Sequence, residues 1–221
     1  MVGRLGAPSV PAAAKPLFTR ATVTRHQSSA NAPQPPGRTA LPAVRLVLIA
    51  AVSRNGVLAS GGKIPWHLPR DVAHFRARTE GRWLLLGRTT YEQMTGWFQP
   101  NQVPLVLTSR EAYEVPRGWR VASIPQALTW AEGKGAQELV VCGGGQVYAS
   151  ALPFADEIIL TVVEVELSGD VRFPDLPAAS WETAETNHWP ADDDHEFAMS
   201  IRRLVRREPA VAPAVDPVDP G

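Results

Sequence analysis

A chain of 221 residues, 44% of them hydrophobic, can bury the core of one domain with tails, and its formal net charge of 0 argues against a basic nucleic-acid surface or a charged membrane-binding face. Its one cysteine, Cys142, excludes an internal disulfide and a cysteine-built zinc site and fits a reducing compartment. No apolar run reaches the length of a transmembrane helix.

Residues 1–43 are rich in Ala, Pro, Ser and Thr and contain no acid; the first in the chain is Asp71. Such a composition cannot bury enough apolar surface to fold. The segment is expected to be a disordered extension or, being basic and acid-poor, an organelle-targeting one, although its prolines interrupt an amphipathic helix. Residues 44–52 (VRLVLIAAV) are a continuous apolar run, the pattern of a strand buried on both faces. A turn at Ser53-Arg54-Asn55-Gly56 leads into a small-residue loop over 57–63 that holds Gly61-Gly62 and is suited to movement.

The next stretch organises the chain. In Ile64-Pro65-Trp66-His67-Leu68-Pro69-Arg70-Asp71-Val72-Ala73-His74-Phe75, Pro69 suits the first turn of a helix, where its missing N–H is no loss. Leu68, Val72 and Phe75 then fall at i, i+4 and i+7 on one face, and Asp71 shares it. With no adjacent Lys or Arg on that face, the carboxylate should be desolvated and its pKa raised, unless it serves only the helix dipole. The helix should end near Thr79.

Residues 83–86 read as a second buried strand, and Gly87-Arg88-Thr89-Thr90-Tyr91-Glu92 opens a helix. Its first-turn N–H groups, hydroxyls and Arg88 suit a phosphate, or Thr89 or Thr90 is an ordinary N-cap. Residues 105–110 form a third strand ending in Thr108-Ser109-Arg110, a hydroxyl and guanidinium suited to a ribose phosphate. A short strand at 119–121 and a surface helix over 124–131 follow. Residues 138–148 (ELVVCGGGQVY) run from a buried strand through Gly143, Gly144 and Gly145 into a helix, where backbone can approach a pyrophosphate. Residues 156–164 are a strand containing Thr161, and a last strand is predicted over 195–204. The end, 208–221, is a Pro-rich disordered tail.

Four segments together resemble dihydrofolate reductases in order and spacing: Pro65-Trp66-x-Leu68-Pro69-x-Asp71-x-x-x-Phe75, Gly87-Arg88-x-Thr90-x-Glu92, Gly143-Gly144-Gly145-x-Val147-Tyr148 and Gly169-Asp170-x-x-Phe173-Pro174. The resemblance spans a domain over 44–207. It implies a three-layer α/β/α fold with a mixed, mostly parallel eight-stranded sheet and flanking helices. It also implies NADPH-dependent reduction of 7,8-dihydrofolate, with a hydride going from nicotinamide C4 to pterin C6 and a proton to N5.

By the same resemblance Asp71, Trp66, Thr161 and Tyr148 are the catalytic group. Asp71 would hold the pterin, and Trp66 and Thr161 would position it and a proton-donating water. Ile49, Ala51, Val72, Phe75, Met94 and Cys142 would complete the substrate slot. The cofactor would lie on Ala51, Leu58, Gly87, Arg88, Thr89 and Thr90, on Thr108, Ser109 and Arg110, and on Cys142 through Tyr148, including Gln146 and Val147. The Gly143–Gly144 bond would be cis, and Asp170 would brace the loop over the cofactor. No metal is implied. A cytoplasmic monomer is expected, with dihydrofolate and NADPH as its partners.

Three positions depart from the family. Ala59 stands where a glycine is usual, Gln146 where an arginine is frequent, and Gln102 where an arginine takes the α-carboxylate of the folate glutamate. Residues 95–104 (TGWFQPNQVP) hold no Arg or Lys, so a weakened grip on the substrate tail is expected. The alternative reading is a reductase of the same fold acting on a pteridine or pyrimidine without that tail.

Overall fold

The computed structural model describes residues 44–207; the extension at 1–43 and the tail at 208–221 lie outside the described residues. The first apolar run becomes β1 (Arg45–Ser53). The other long-sheet strands are β3 (Trp83–Gly87), β4 (Val103–Leu107), β5 (Trp119–Val121), β6 (Glu138–Gly143), β7 (Glu157–Val163), β9 (Trp181–Trp189) and β10 (Met199–Arg206). They form one eight-stranded sheet in the order β5-β4-β3-β6-β1-β7-β10-β9. Pairing is parallel from β5 to β7 and antiparallel at β7–β10 and β10–β9. This is the mixed α/β sheet the resemblance implies.

Alternation along the strands splits the core into two layers. Leu46, Leu48, Ala50 and Val52 of β1 join a cluster with Ala127 and Ala131 of α3 (Ile124–Gly133) and Val147 and Ala151 of α4 (Gly145–Ala151). Val47 and Ile49 face the opposite cluster, which packs Phe75 of α1 (Pro69–Thr79), Tyr91 of α2 (Arg88–Gln93) and Met94. Helices therefore cover both faces. The register sets Ala51 of β1 opposite Thr161 of β7, and Leu86 of β3 opposite Gly143 of β6. The carboxyl ends of these parallel strands thus meet along one rim, where ligands of open α/β sheets bind.

Four expectations need correction. The last strand runs over Met199–Arg206 rather than 195–204. Strand β9 was not predicted. Its sequence WETAETNHW lacks apolar alternation because it is a largely exposed edge strand, held by backbone pairing to β10. The 57–63 loop begins as a strand, β2 (Val57–Ala59), paired with β8 (Val171–Arg172), which follows Gly169-Asp170. The third strand ends at Leu107, leaving Thr108, Ser109 and Arg110 just beyond its carboxyl end.

Candidate active site

A cleft of about 1300 Å³ opens at this rim. At its inner end lies Asp71, in the first turn of α1. Burial raises the Asp71 pKa, against two opposing effects: a hydrogen bond from the Thr161 hydroxyl and the charge of His74. His74 is a partner the sequence does not signal, because an imidazole on a helix face carries no fixed charge. Burial lowers its own pKa and the Asp71 charge raises it. Ile49, Ala51, Val72, Phe75 and Met94 line the cleft around Asp71.

Thr161 and Trp66 do not line the cleft. Thr161, 2% exposed, reaches it through Asp71. Trp66 packs against the cluster of Leu68, Val163 and Met199, and its buried Nε1–H has no hydrogen-bond partner among the described residues. A buried donor without a protein partner is the kind of group that an ordered water satisfies. Tyr148 lines the cleft and is 4% exposed, with its hydroxyl donating to the Ile49 carbonyl at 2.6 Å. Burial holds its phenol well above the ordinary range. Cys142 is buried in the cleft wall and desolvation pushes its thiol far up, so it is an unreactive packing group.

The other half of the cleft is built from backbone. The Gly143–Gly144 peptide is cis, and Gly143 has φ +110°, a region side chains rarely adopt. A Cβ at Gly145 would stand 2.9 Å from the Arg172 carbonyl, so that position too excludes a side chain. The glycines leave bare backbone at the start of α4, lining the cleft together with Gln146 and Val147. Gly87, Thr89 and Thr90 line the cleft beside them: a Cβ at Gly144 would stand 3.3 Å from the Thr90 hydroxyl, and Leu58 lies next to Gly145. The N-cap of α2 is Gly87 and makes no side-chain bond, which removes the reading of Thr89 or Thr90 as an N-cap. Arg88 lines the cleft but its guanidinium is bound to both oxygens of Glu92 at 2.9 Å. Thr108, Ser109 and Arg110 stand at the far end, and the Arg110 side chain makes no hydrogen bond to the described residues. The backbone cradle, hydroxyls and guanidinia fit a dinucleotide with an extra phosphate.

A family model for dihydrofolate reductase matches residues 45–206. The chain belongs to the dihydrofolate reductase family. It is 37% identical over 161 residues to the type 3 dihydrofolate reductase of Salmonella typhimurium, covering 72% of this chain and 97% of that protein. It is 35% identical over 178 residues to the dihydrofolate reductase HdrB of Haloferax volcanii, covering 77% and 88%. A solved dihydrofolate reductase from Enterococcus faecalis, complexed with NADP(H) and RAB-propyl, superposes with TM-score 0.69 at 30% identity, covering 76% of this chain and 98% of that one.

Two features of this reductase site were not read from the sequence. Trp97, 49% exposed, lines the outer end of the cleft, with the Arg76 guanidinium 5.0 Å from its ring centre. Ala122 and Ser123 line the cofactor half, where Ser123 also caps α3 by accepting from the Gln126 N–H at 3.2 Å. The Ser-Ile-Pro start of α3 signals that cap; nothing local in the sequence signals its place in the cleft. Gln102, where the family has an arginine, is 7% exposed and fully engaged. Its amide donates to the Thr79 carbonyl at 3.0 Å and hydroxyl at 3.1 Å, and accepts from the Gln99 N–H at 2.9 Å. It therefore ties the loop to the end of α1 rather than lining the cleft. Asp170 accepts from the Gly61 N–H at 3.0 Å, bracing the loop as expected.

Proposed function

We propose that this chain is an NADPH-dependent dihydrofolate reductase that converts 7,8-dihydrofolate to 5,6,7,8-tetrahydrofolate. The carrying observation is Asp71: a half-buried, desolvated carboxylate with a raised pKa, bonded by Thr161, at the inner end of a family-matched cleft. NADPH supplies the hydride when bound along the glycine wall. Asp71 accepts hydrogen bonds from the pterin ring, fixing its orientation and favouring a protonated ring in the transition state. The unpaired Trp66 Nε1 holds a water beside the carboxylate, from which a proton reaches N5. Ile49, Val72, Phe75 and Met94 exclude bulk water from the ring. Ser109 and Arg110 recognise the ribose phosphate.

At the outer end Gln102 has no free polar group for a tail carboxylate, and Arg76, held over Trp97, is the guanidinium available there. The enzyme works in the cytoplasm as a monomer; no helix among the described residues is long and apolar enough to cross a membrane. Purified chain mixed with NADPH and dihydrofolate should oxidise the cofactor in step with tetrahydrofolate formation. Turnover with dihydrobiopterin but not with dihydrofolate would favour the tail-free alternative.

A further inference from the structure

The helix that carries Asp71 lacks a local cap. Leu68, its N-cap residue, offers no side-chain bond to the first-turn N–H groups. The Arg70 N–H, one residue before Asp71, instead donates to Nε2 of His195, 125 positions away, at 3.1 Å. His195 is 7% exposed and sits in the connection between β9 and β10. Its Nδ1 lies 2.5 Å from Asp192 Oδ1. Backbone bonds of 3.1 Å each way between Asp192 and His195 close the turn, and the Asp194 N–H donates to Asp192 Oδ1 at 3.1 Å. The Arg70 guanidinium reaches Asp192 Oδ2 at 3.8 Å and lies 5.8 Å from the Trp189 ring. Beneath the same turn, Leu68 and Met199 pack with Trp66, Trp189 and Phe197.

We propose that His195, oriented by Asp192, is a positioning residue that caps α1 from the β9–β10 turn and, through the bond its Nε2 accepts, holds Asp71 in place for the pterin. The bond roles fix the tautomer. Nε2 accepts from the Arg70 N–H, so Nδ1 carries the proton and donates it to Asp192. Without an acceptor at this position the cap is lost, the start of α1 is released and dihydrofolate binding weakens.

This inference rests on the reading of the cleft as a dihydrofolate reductase site, and its test separates the two. Turnover of dihydrofolate by the wild-type chain at about pH 8 is measured first; its absence rejects the enzyme reading. Then KM for dihydrofolate and for NADPH is measured at the same pH in wild type, His195→Gln and His195→Ala. Glutamine keeps an acceptor at this position and alanine does not. KM for dihydrofolate should rise about fivefold in His195→Ala, the size expected for a lost cap, and stay near the wild-type value in His195→Gln. KM for NADPH should move in neither, whereas a merely structural loss would lower the active fraction and leave both KM values alone. An unchanged KM for dihydrofolate in His195→Ala, or the same rise in His195→Gln, would overturn the proposal. ¹⁵N NMR of the ring tests it without activity: at about pH 8 Nε2 should be the unprotonated nitrogen, and a proton on Nε2 there would equally overturn it.

Discussion

The two ends of the substrate half of the cleft are built on opposite principles. The inner end surrounds polar groups with apolar walls: Asp71 is desolvated, Thr161 is 2% exposed and the Trp66 Nε1–H has no partner among the described residues. The outer end does the reverse: Gln102 spends its amide on the protein, while Trp97 and Arg76 stand in solvent. Buried polar groups left short of bonds are costly and are kept where a ligand completes them. Polar groups already satisfied have little to offer a ligand. The inner end is therefore expected to set chemistry and ring selectivity, and the outer end to contribute only a loose grip.

The largest effect that would break this contrast is at Asp71. Asp71→Asn should lower turnover near neutral pH by roughly 10²–10⁴-fold, the range for loss of a positioned acid–base group. It should also stabilise the ligand-free protein. The folded carboxyl holds its proton more tightly than the unfolded one, so the folded state binds more protons from the ordinary 3.8 up to the raised value. Stability is lost as pH rises through that window, and the amide removes the loss. The melting temperature should rise, by about 2–4 °C for each kcal/mol regained. An active variant, or an unstabilised one, would break the contrast.

On the cofactor side, Arg110→Gln removes an unspent charged donor. KM for NADPH should rise roughly 10–100-fold, the equivalent of about 1.5–3 kcal/mol for a charge-assisted bond, and KM for NADH should stay put. Equal changes for both cofactors would remove Arg110 from the phosphate site. Thr161→Val sharpens the picture of the inner end. It deletes a bond that lowers the Asp71 pKa, so the acid limb of the kcat/KM profile should move to higher pH.

The smallest effect is expected outside. Gln102→Arg should lower KM for dihydrofolate only a few-fold, because the new side chain must also replace the bonds to Thr79 and Gln99. KM for dihydrobiopterin, which has no tail carboxylate, should not change. A larger gain, or a gain for both substrates, would mean the outer end is not as spent as its bonds indicate.

What the sequence made legible follows from how local each feature is. The Asp71 face of α1, the glycines before α4 and the apolar run of β1 are written within a dozen residues each, and helical or strand periodicity carries them. Strand β9 was illegible because an exposed edge strand needs no apolar alternation; only its pairing with β10 defines it. The cap from His195 to Arg70 and the Gln102 bonds to Thr79 join positions far apart, and no periodicity encodes them. His74 was overlooked although it lies three residues from Asp71, because a histidine on a helix face signals nothing until its surroundings are known.

The central claim is that the inner end keeps a carboxyl short of solvation until substrate arrives. The direct measurement is an NMR titration of the Asp71 side-chain carboxyl in the folded, ligand-free chain, repeated with folate bound. The account predicts a midpoint above 3.8 without ligand and a downward shift when the pterin's donors reach the carboxylate. A midpoint at or below 3.8 in the free protein, or no movement on binding, would contradict it.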